Sequence, residues 1–290
     1  MRLSLTSTVV LNPLPKMKNI LVPTDFSDGA FNALVHAVQI AQQFDAMIHA
    51  VHAFAIPPTG TALMVDLTDI LRKNSEEELA VLKKRIEAIP TGGKVRLSYE
   101  AHHGTVIDVI NRAVETHQAD IVIMGTQGAS GITEKWLGTN TAAAARNVNV
   151  PLIAIPVDSP FRPFKNVLFA TDFKVVKNSR ALNFVAKIAK AYESHLRFLH
   201  VRKDNEKSEL EESDAFKSQM RDIFSKSDLK FSFIIDSKID HGIEEALTLH
   251  PAELLITVRH EYGFFEGLFR SSVSQKLINH AAMPILIIKG

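Results

Sequence analysis

The sequence predicts an α/β fold of two tandem doubly wound domains, each with a five-stranded parallel sheet. Two observations predict it. First, the chain repeats itself: Lys18-Asn19-Ile20-Leu21-Val22-Pro23-Thr24-Asp25-Phe26 recurs as Lys165-Asn166-Val167-Leu168-Phe169-Ala170-Thr171-Asp172-Phe173, about 147 residues on. His117–Ile123 then matches His250–Ile256, and Val150–Ile155 matches Met283–Ile288, in the same order. Three matched segments in one order mark a duplication of a unit of about 140 residues. Second, short apolar runs alternate with stretches of helical period, as in a parallel sheet covered by helices on both faces.

The elements follow in order. Asn19–Val22 is the first strand, and Ser27 can cap a helix whose buried stripe runs through Ala30, Leu34, Ala37, Val38 and Ala41. Met47–Val51 is a second apolar strand. Glu76–Ile89 is a charged amphipathic helix, with Leu79, Leu82 and Ile86 at helical spacing. Lys94–Glu100 alternates like a strand, and Val106, Ile107, Ile110 and Val114 form one helix face. Ile121–Met124 and Leu152–Ile155 complete the sheet as short buried strands. The second half repeats this order, with strands near 166–169, 196–201, 230–235, 254–258 and 285–288. The Pro-rich seam Val157–Pro163 sets the domains at 17–157 and 165–290, with 158–164 as linker and 1–16 as a peripheral N-terminal extension.

Composition narrows the function. Of 290 residues, 46% are hydrophobic and 22% charged, as in a globular protein. The net charge of +1, without basic runs interleaved with aromatics, gives no footprint for nucleic acid. No cysteine is present, which removes disulfides, thiolate catalysis and Cys-based metal sites and fits a cytoplasmic setting. No apolar stretch approaches the roughly 20 residues that span a bilayer, so no membrane partner is expected. The opening MRLSLTSTVVLNPLPK reads poorly as a signal peptide, since Asn12, Pro13 and Pro15 stand where a small-residue cleavage site belongs.

In a doubly wound sheet, ligands bind at the carboxyl ends of the strands near the switch in strand order. That places Pro23-Thr24-Asp25, His52-Ala53 and the stretch from Gly125 on one edge. The stretch MGTQGASGITEKWLGTN, residues 124–140, has glycines at 125, 128, 131 and 138 between a buried strand and a helix-prone run. Glycine lets backbone N–H groups approach an anion closely, and a helix's first turn adds unpaired N–H groups and partial positive charge. Thr139, Asn140 and Thr141 bring side-chain donors, so a phosphate cradle without lysine is physically reasonable. Equally, Gly125 can simply end a strand and Gly138 turn into a helix. The stretch is neither a Walker A loop nor the dinucleotide fingerprint, because both residues and spacing differ.

On these residues the chain resembles the universal stress protein family in its tandem two-domain form. Ile20-Leu21-Val22-Pro23-Thr24-Asp25-Phe26-Ser27 is similar to the family's first strand and acidic loop, and Gly125, Gly128 and Gly138-Thr139 stand at the spacing of its ATP-binding pattern. The resemblance implies an adenine nucleotide α-hydrolase-like fold and a site for ATP, accompanied by Mg2+ or Mn2+. It implies that Asp25 sits beside the adenosine with Pro23 and Thr24 as a wall. It also implies that the Ala53 backbone bonds the adenine, Gly125 lies under the ribose, and Gly128, Gly138, Thr139 and Asn140 hold the phosphates. No protein ligand set for the cation is evident. It further implies that Pro151–Ile155 pairs with Pro284–Ile288 within one chain, with a homodimer as a further level of assembly.

The second half departs from the pattern. Val258 stands for Gly125, Glu261 for Gly128 and Ser271-Ser272 for Gly138-Thr139. A Cβ at 258 would crowd a ribose and the Glu261 carboxylate would repel phosphate, so this half is expected to pair with the first and bind no ATP. Phe264, Phe265, Leu268 and Phe269 either form an interface or fill the vacated pocket. Trp136 is expected to anchor the glycine stretch to its domain. Glu76–Glu78 and Glu209–Glu212 read as solvated helix faces. The 12 histidines show no metal-ligand spacing: His49 and His52 diverge along a strand, as do His102 and His103. The His-x-Gly-His and Ser-Gly-Gly loops of adenylyl-transferring relatives of the fold are absent.

The expectation is a cytoplasmic stress-response protein whose N-terminal half binds ATP and acts as a nucleotide-dependent regulator. A non-nucleotide interaction module and a slow ATPase are the alternatives, with weak hydrolysis at most.

Overall fold

Ten strands form one continuous sheet in the order β3-β2-β1-β4-β5-β10-β9-β6-β7-β8. The structure is a computed structural model and describes residues 17–55, 64–89, 94–126, 138–202, 210–225, 227–259 and 283–290. In the first half the elements are β1 (Asn19–Thr24), α1 (Asp28–Phe44), β2 (Met47–Phe54), α2 (Met64–Glu87), β3 (Arg96–His103), α3 (Val106–Thr116), β4 (Ile121–Gly125), α4 (Thr139–Asn147) and β5 (Leu152–Ile155). In the second they are β6 (Asn166–Ala170), α5 (Ser179–Tyr192), β7 (His195–Arg202), α6 (Leu210–Ile223), β8 (Leu229–Ile235), α7 (Ile239–Leu249), β9 (Leu254–Arg259) and β10 (Ile285–Lys289).

Within each half the strands are parallel, and the order reverses between β1 and β4 and again between β6 and β9. The halves join where β10 runs antiparallel to β5, with Ile285 opposite Ala154 and Ile287 opposite Leu152. These are the segments that the resemblance sets against each other. Helices α1, α2, α5 and α6 cover one face of the sheet, around Ile20, Leu34, Phe169 and Phe198. Helices α3, α4 and α7 cover the other, around Leu21, Val122, Leu168 and Ile287. The described chain opens on Met17, which is fully buried in the first of these layers.

Local chemistry explains the element boundaries. The Ser27 hydroxyl accepts the Ala30 N–H at 3.2 Å and starts α1. Asp45, in the left-handed region at φ 53°, ends it. Phe26 and its counterpart Phe173 both take positive φ (64° and 57°), so the turn leaving the first strand has the same shape in each half. Beside it, Phe26 lies 4.5 Å from the His52 ring and Phe173 lies 5.4 Å from His200. His52 Nδ1 stands 2.8 Å from the Thr24 carbonyl. A carbonyl only accepts, so Nδ1 carries the hydrogen and ties the ends of β1 and β2 together.

The connection between the halves docks onto α1. Asn32 donates to the carbonyls of Pro156 and Ser159, both at 2.9 Å, and the fully buried His36 bonds the Ser159 carbonyl at 2.9 Å. Phe161 meets the His36 ring edge-on at 5.4 Å. Burial lowers the His36 pKa below its usual 6.5, only partly offset by the Ser159 bond. The unfolded chain therefore takes up a proton near pH 6.5 that the folded chain refuses. Stability is full above that pH and falls as the pH drops through and below it. His49 is lowered in the same direction, mainly by burial. Thermal unfolding at about pH 7.5 and about pH 5.5 checks this: the midpoint is expected to drop at the lower pH, and by less in His36→Gln.

The second half also grips the first. Arg259, at the end of β9, donates to the carbonyls of Ala145 (2.8 Å) and Arg146, near the C-terminus of α4. Gln43 donates to the Ala191 carbonyl at 2.8 Å, and Phe44 meets Tyr192 edge-on, so the ends of α1 and α5 touch. Among the described residues no helix is long and apolar enough to cross a membrane.

Candidate functional site

At the carboxyl edge of the first half, where strand order reverses between β1 and β4, the chain leaves a cavity of about 240 Å3. Its residues come from both sides of the switch. Pro23, Thr24 and Asp25 leave β1, and His52 and Ala53 close β2. Gly125 ends β4, and Gly138, Thr139 and Asn140 open α4. The structure thus brings together eight of the nine residues singled out from the sequence. The ninth, Gly128, lies outside the described residues, as do Gly131, Trp136, Glu261, the Phe264–Phe269 cluster and Ser271-Ser272.

Each residue is held by local bonds. Asp25 Oδ1 accepts the Ser27 hydroxyl at 2.6 Å and the Ser27 N–H at 3.2 Å, which couples the acidic loop to the cap of α1. Thr24 Oγ1 accepts the Phe26 N–H at 3.1 Å. Gly138 is the N-cap of α4, with its own N–H bonded to the Thr126 carbonyl at 2.6 Å and no side chain capping the helix. The N–H groups of the first helical turn are the ones a helix leaves without intrahelical partners. They carry its positive end.

Two details revise the sequence reading. Thr141 is buried and its hydroxyl donates to the Gly125 carbonyl at 2.7 Å, so it fastens α4 to β4 and is spent as a ligand donor. Gly125 owes its missing side chain to a protein neighbour. A Cβ there would stand 2.7 Å from the carbonyl carbon and oxygen of Gly29 in the first turn of α1. Crowding of a ribose is not needed to explain the glycine.

The sequence reading missed the opposite wall. Val106, Val109 and Ile110 of α3 line the cavity, together with Met124 and Val51. Their helical spacing was visible, but a core face and a pocket wall have the same pattern. Gly104 turns the chain from β3 into α3 at φ +143°, a conformation open to glycine. The cavity is thus apolar on the α3 side and polar at the start of α4, with Asp25 as the one carboxylate and no lysine or arginine among the described lining residues.

In the second half the equivalent loop is paired internally. Asp172 accepts the Lys174 N–H at 3.2 Å and faces the Lys174 ammonium at 3.5 Å, where the first half has Ser27. Val258, in place of Gly125, is 1% exposed.

Comparison with known proteins adds the following. A family model described as the universal stress protein family matches residues 16–156. A universal stress protein of Methanocaldococcus jannaschii is 26% identical over 155 residues, which cover 51% of this chain and 88% of the relative. Universal stress protein G of Salmonella typhimurium is 26% identical over 143 residues, covering 48% of this chain and 98% of its own. A solved universal stress protein from Archaeoglobus fulgidus shares the fold across both halves. Its TM-score is 0.69 at 20% identity, covering 94% of this chain and 98% of its own.

Proposed function

We propose a function from one premise: the first half of the chain, where the family model matches residues 16–156, is a universal stress protein domain. On that premise the first half binds ATP in the cavity at the β1–β4 switch and works as a nucleotide-dependent regulator in the cytoplasm. The observation that carries the reading is the convergence of the acidic loop after β1, the end of β2 and the N-terminus of α4 on one cavity. A volume of about 240 Å3 suits the adenosine, with the phosphates toward Gly138 and the N-terminus of α4. The apolar wall of α3 faces the base, the Ala53 backbone bonds it, and the α4 N–H groups and the Thr139 and Asn140 side chains meet the phosphates. No cation lines the described wall, so Mg2+ or Mn2+ bound with the ATP would offset much of the phosphate charge, with Asp25 as the nearest carboxylate.

Regulation follows from where α4 sits. Its N-terminus faces the cavity and its C-terminal carbonyls are held by Arg259 of the second half. One helix therefore touches both the ligand and the partner domain, and a shift at either end is felt at the other. Replacing Arg259 by Met removes the donors. ATP affinity is then expected to fall by up to about tenfold, the scale of one or two hydrogen bonds, with stoichiometry unchanged by calorimetry.

The test of the reading is titration of the purified chain with ATP and magnesium, beside the variants Asp25→Ala and Gly128→Glu. Submillimolar binding that both variants abolish supports it. No binding by the unmutated protein contradicts it.

A further inference from the structure

The second cluster of chemistry in the first half lies beneath α3, away from the nucleotide cavity. His49 of β2, Glu100 of β3 and His117 at the C-cap of α3 each present a ligand atom, and these atoms lie within 4.8 Å of one another. The three residues are far apart in sequence and come from three elements. For that reason no ligand spacing marks them, and the histidines gave no metal site in the sequence. The geometry points to a site for a zinc-class divalent cation bound by two imidazoles and one carboxylate, with its fourth position open to water.

The donor set fits that chemistry. Zn2+ takes imidazole nitrogen and carboxylate oxygen at about 2.0–2.2 Å, so tetrahedral ligand atoms stand about 3.3 Å apart. Glu100 and His117 are already at that distance: His117 Nε2 is 3.2 Å from Glu100 Oε1. The other carboxylate oxygen is 3.0 Å from His102 Nε2, so Glu100 is held from both sides. His49 Nδ1 lies 2.8 Å from the Ser98 hydroxyl. Nε2 stands 3.4 Å from Asn19 Oδ1, an acceptor, so without a metal Nε2 carries the hydrogen and the Ser98 hydroxyl donates to Nδ1. Ligation through Nε2 uses the other tautomer, with Nδ1–H donating to Ser98 Oγ. A ligating histidine commonly has such an outer partner orienting its ring. The His49 and His117 rings stack at 4.0 Å with 18° between their planes. Their lone pairs therefore lie in nearly parallel planes, and one ring must turn about its Cβ–Cγ bond for both to point at one ion. His117, at the helix end and 16% exposed, has room to turn, while His49 is 6% exposed. Glu100 is 30% exposed, so a path for water and ion stays open.

The duplication supplies an internal control. Leu21 pairs with His49 where Leu168 pairs with Arg197, and Val51 pairs with Glu100 where Leu199 pairs with Ser232. The positions of His49 and Glu100 thus hold Arg197 and Ser232 in the second half, and only the histidine at 117 recurs, as His250. The fold does not need the cluster, because the second half builds the same strands without it. The cluster also lies apart from the cation expected with ATP, since α3 starts at the cavity and ends at His117, which stacks on His49 near the amino end of β2.

The experiment is a Zn2+ titration of the full chain, stripped with a chelator and free of nucleotide, read by competition against a chromogenic chelator. The expected result is one Zn2+ per chain at micromolar or tighter affinity, weakened at least tenfold in His117→Ala and in His49→Gln. His117→Cys, which restores a ligand, is expected to recover binding. That separates lost ligation from lost folding, should the buried His49 variant fail to fold. No Zn2+ bound, or the same stoichiometry and affinity in His117→Ala as in the unmutated chain, overturns the proposal.

Discussion

Gly125→Val is expected to abolish ATP binding and to lower stability by about 1–3 kcal/mol, the usual cost of overpacking. The added Cβ would meet the Gly29 carbonyl at 2.7 Å, and that neighbour is backbone in the first turn of α1. Relief requires the start of α1 to move. That start is capped by Ser27, which is bonded to Asp25 at 2.6 Å, so the shift reaches the acidic loop of the cavity directly. The second half shows the alternative solution. There Val258 is buried on β9, and α5 begins eight residues after Thr171, whereas α1 begins four after Thr24. Thermal unfolding and an ATP titration on the same preparation check both parts. A variant that keeps full stability and full affinity would show that the close approach of α1 and β4 matters to neither.

Leu286→Asp is expected to cost about 3–5 kcal/mol, the scale of an uncompensated buried charge. Leu286 is fully buried on β10, opposite Ile153 of β5, at the antiparallel seam that makes one sheet of two. The seam is reinforced by Arg259 on α4 and Gln43 on the end of α5. Urea unfolding of the unmutated chain is expected to be a single transition, because the halves share this strand pair. In Leu286→Asp the second half should melt first, giving two transitions. A variant that still unfolds in one step at the same midpoint would mean that the halves are not coupled through β5 and β10.

The repeat and the alternation of apolar runs with helical stripes located all ten strands, because buried parallel strands are continuous apolar segments with little ambiguity. Edges were less legible. Helix α2 begins at Met64, well before the expected Glu76, because the polar Ser75, buried and bonded to the Leu71 carbonyl, interrupts the apolar positions that run from Leu67 and Leu71 to Leu79. Strand β3 runs to His103, past the expected Glu100; it lies at the sheet edge and its residues are half-exposed on both faces, so alternation fades. The Pro-rich seam read as a plain linker, yet it is fastened by Asn32 and His36. The signal was present: His36 stands in the buried stripe of α1 beside Ala33, Ala37 and Ile40, where a polar ring needs a partner.

For the site, strand ends were legible because topology alone puts them on one edge. The close approach of Gly125 to Gly29 and the convergence of His49, Glu100 and His117 were not, since each joins residues brought together only by the sheet. A one-residue reading also misassigned Thr141, whose hydroxyl holds Gly125 in place of a ligand.

The central claim is that one of the two halves, the first, holds a nucleotide. Equilibrium dialysis of the full chain against labelled ATP with magnesium tests it most directly. The account predicts saturation at one ATP per chain, lost in Asp25→Ala and kept in Asp172→Ala. Saturation at two, or binding that Asp172→Ala removes and Asp25→Ala leaves intact, would contradict it.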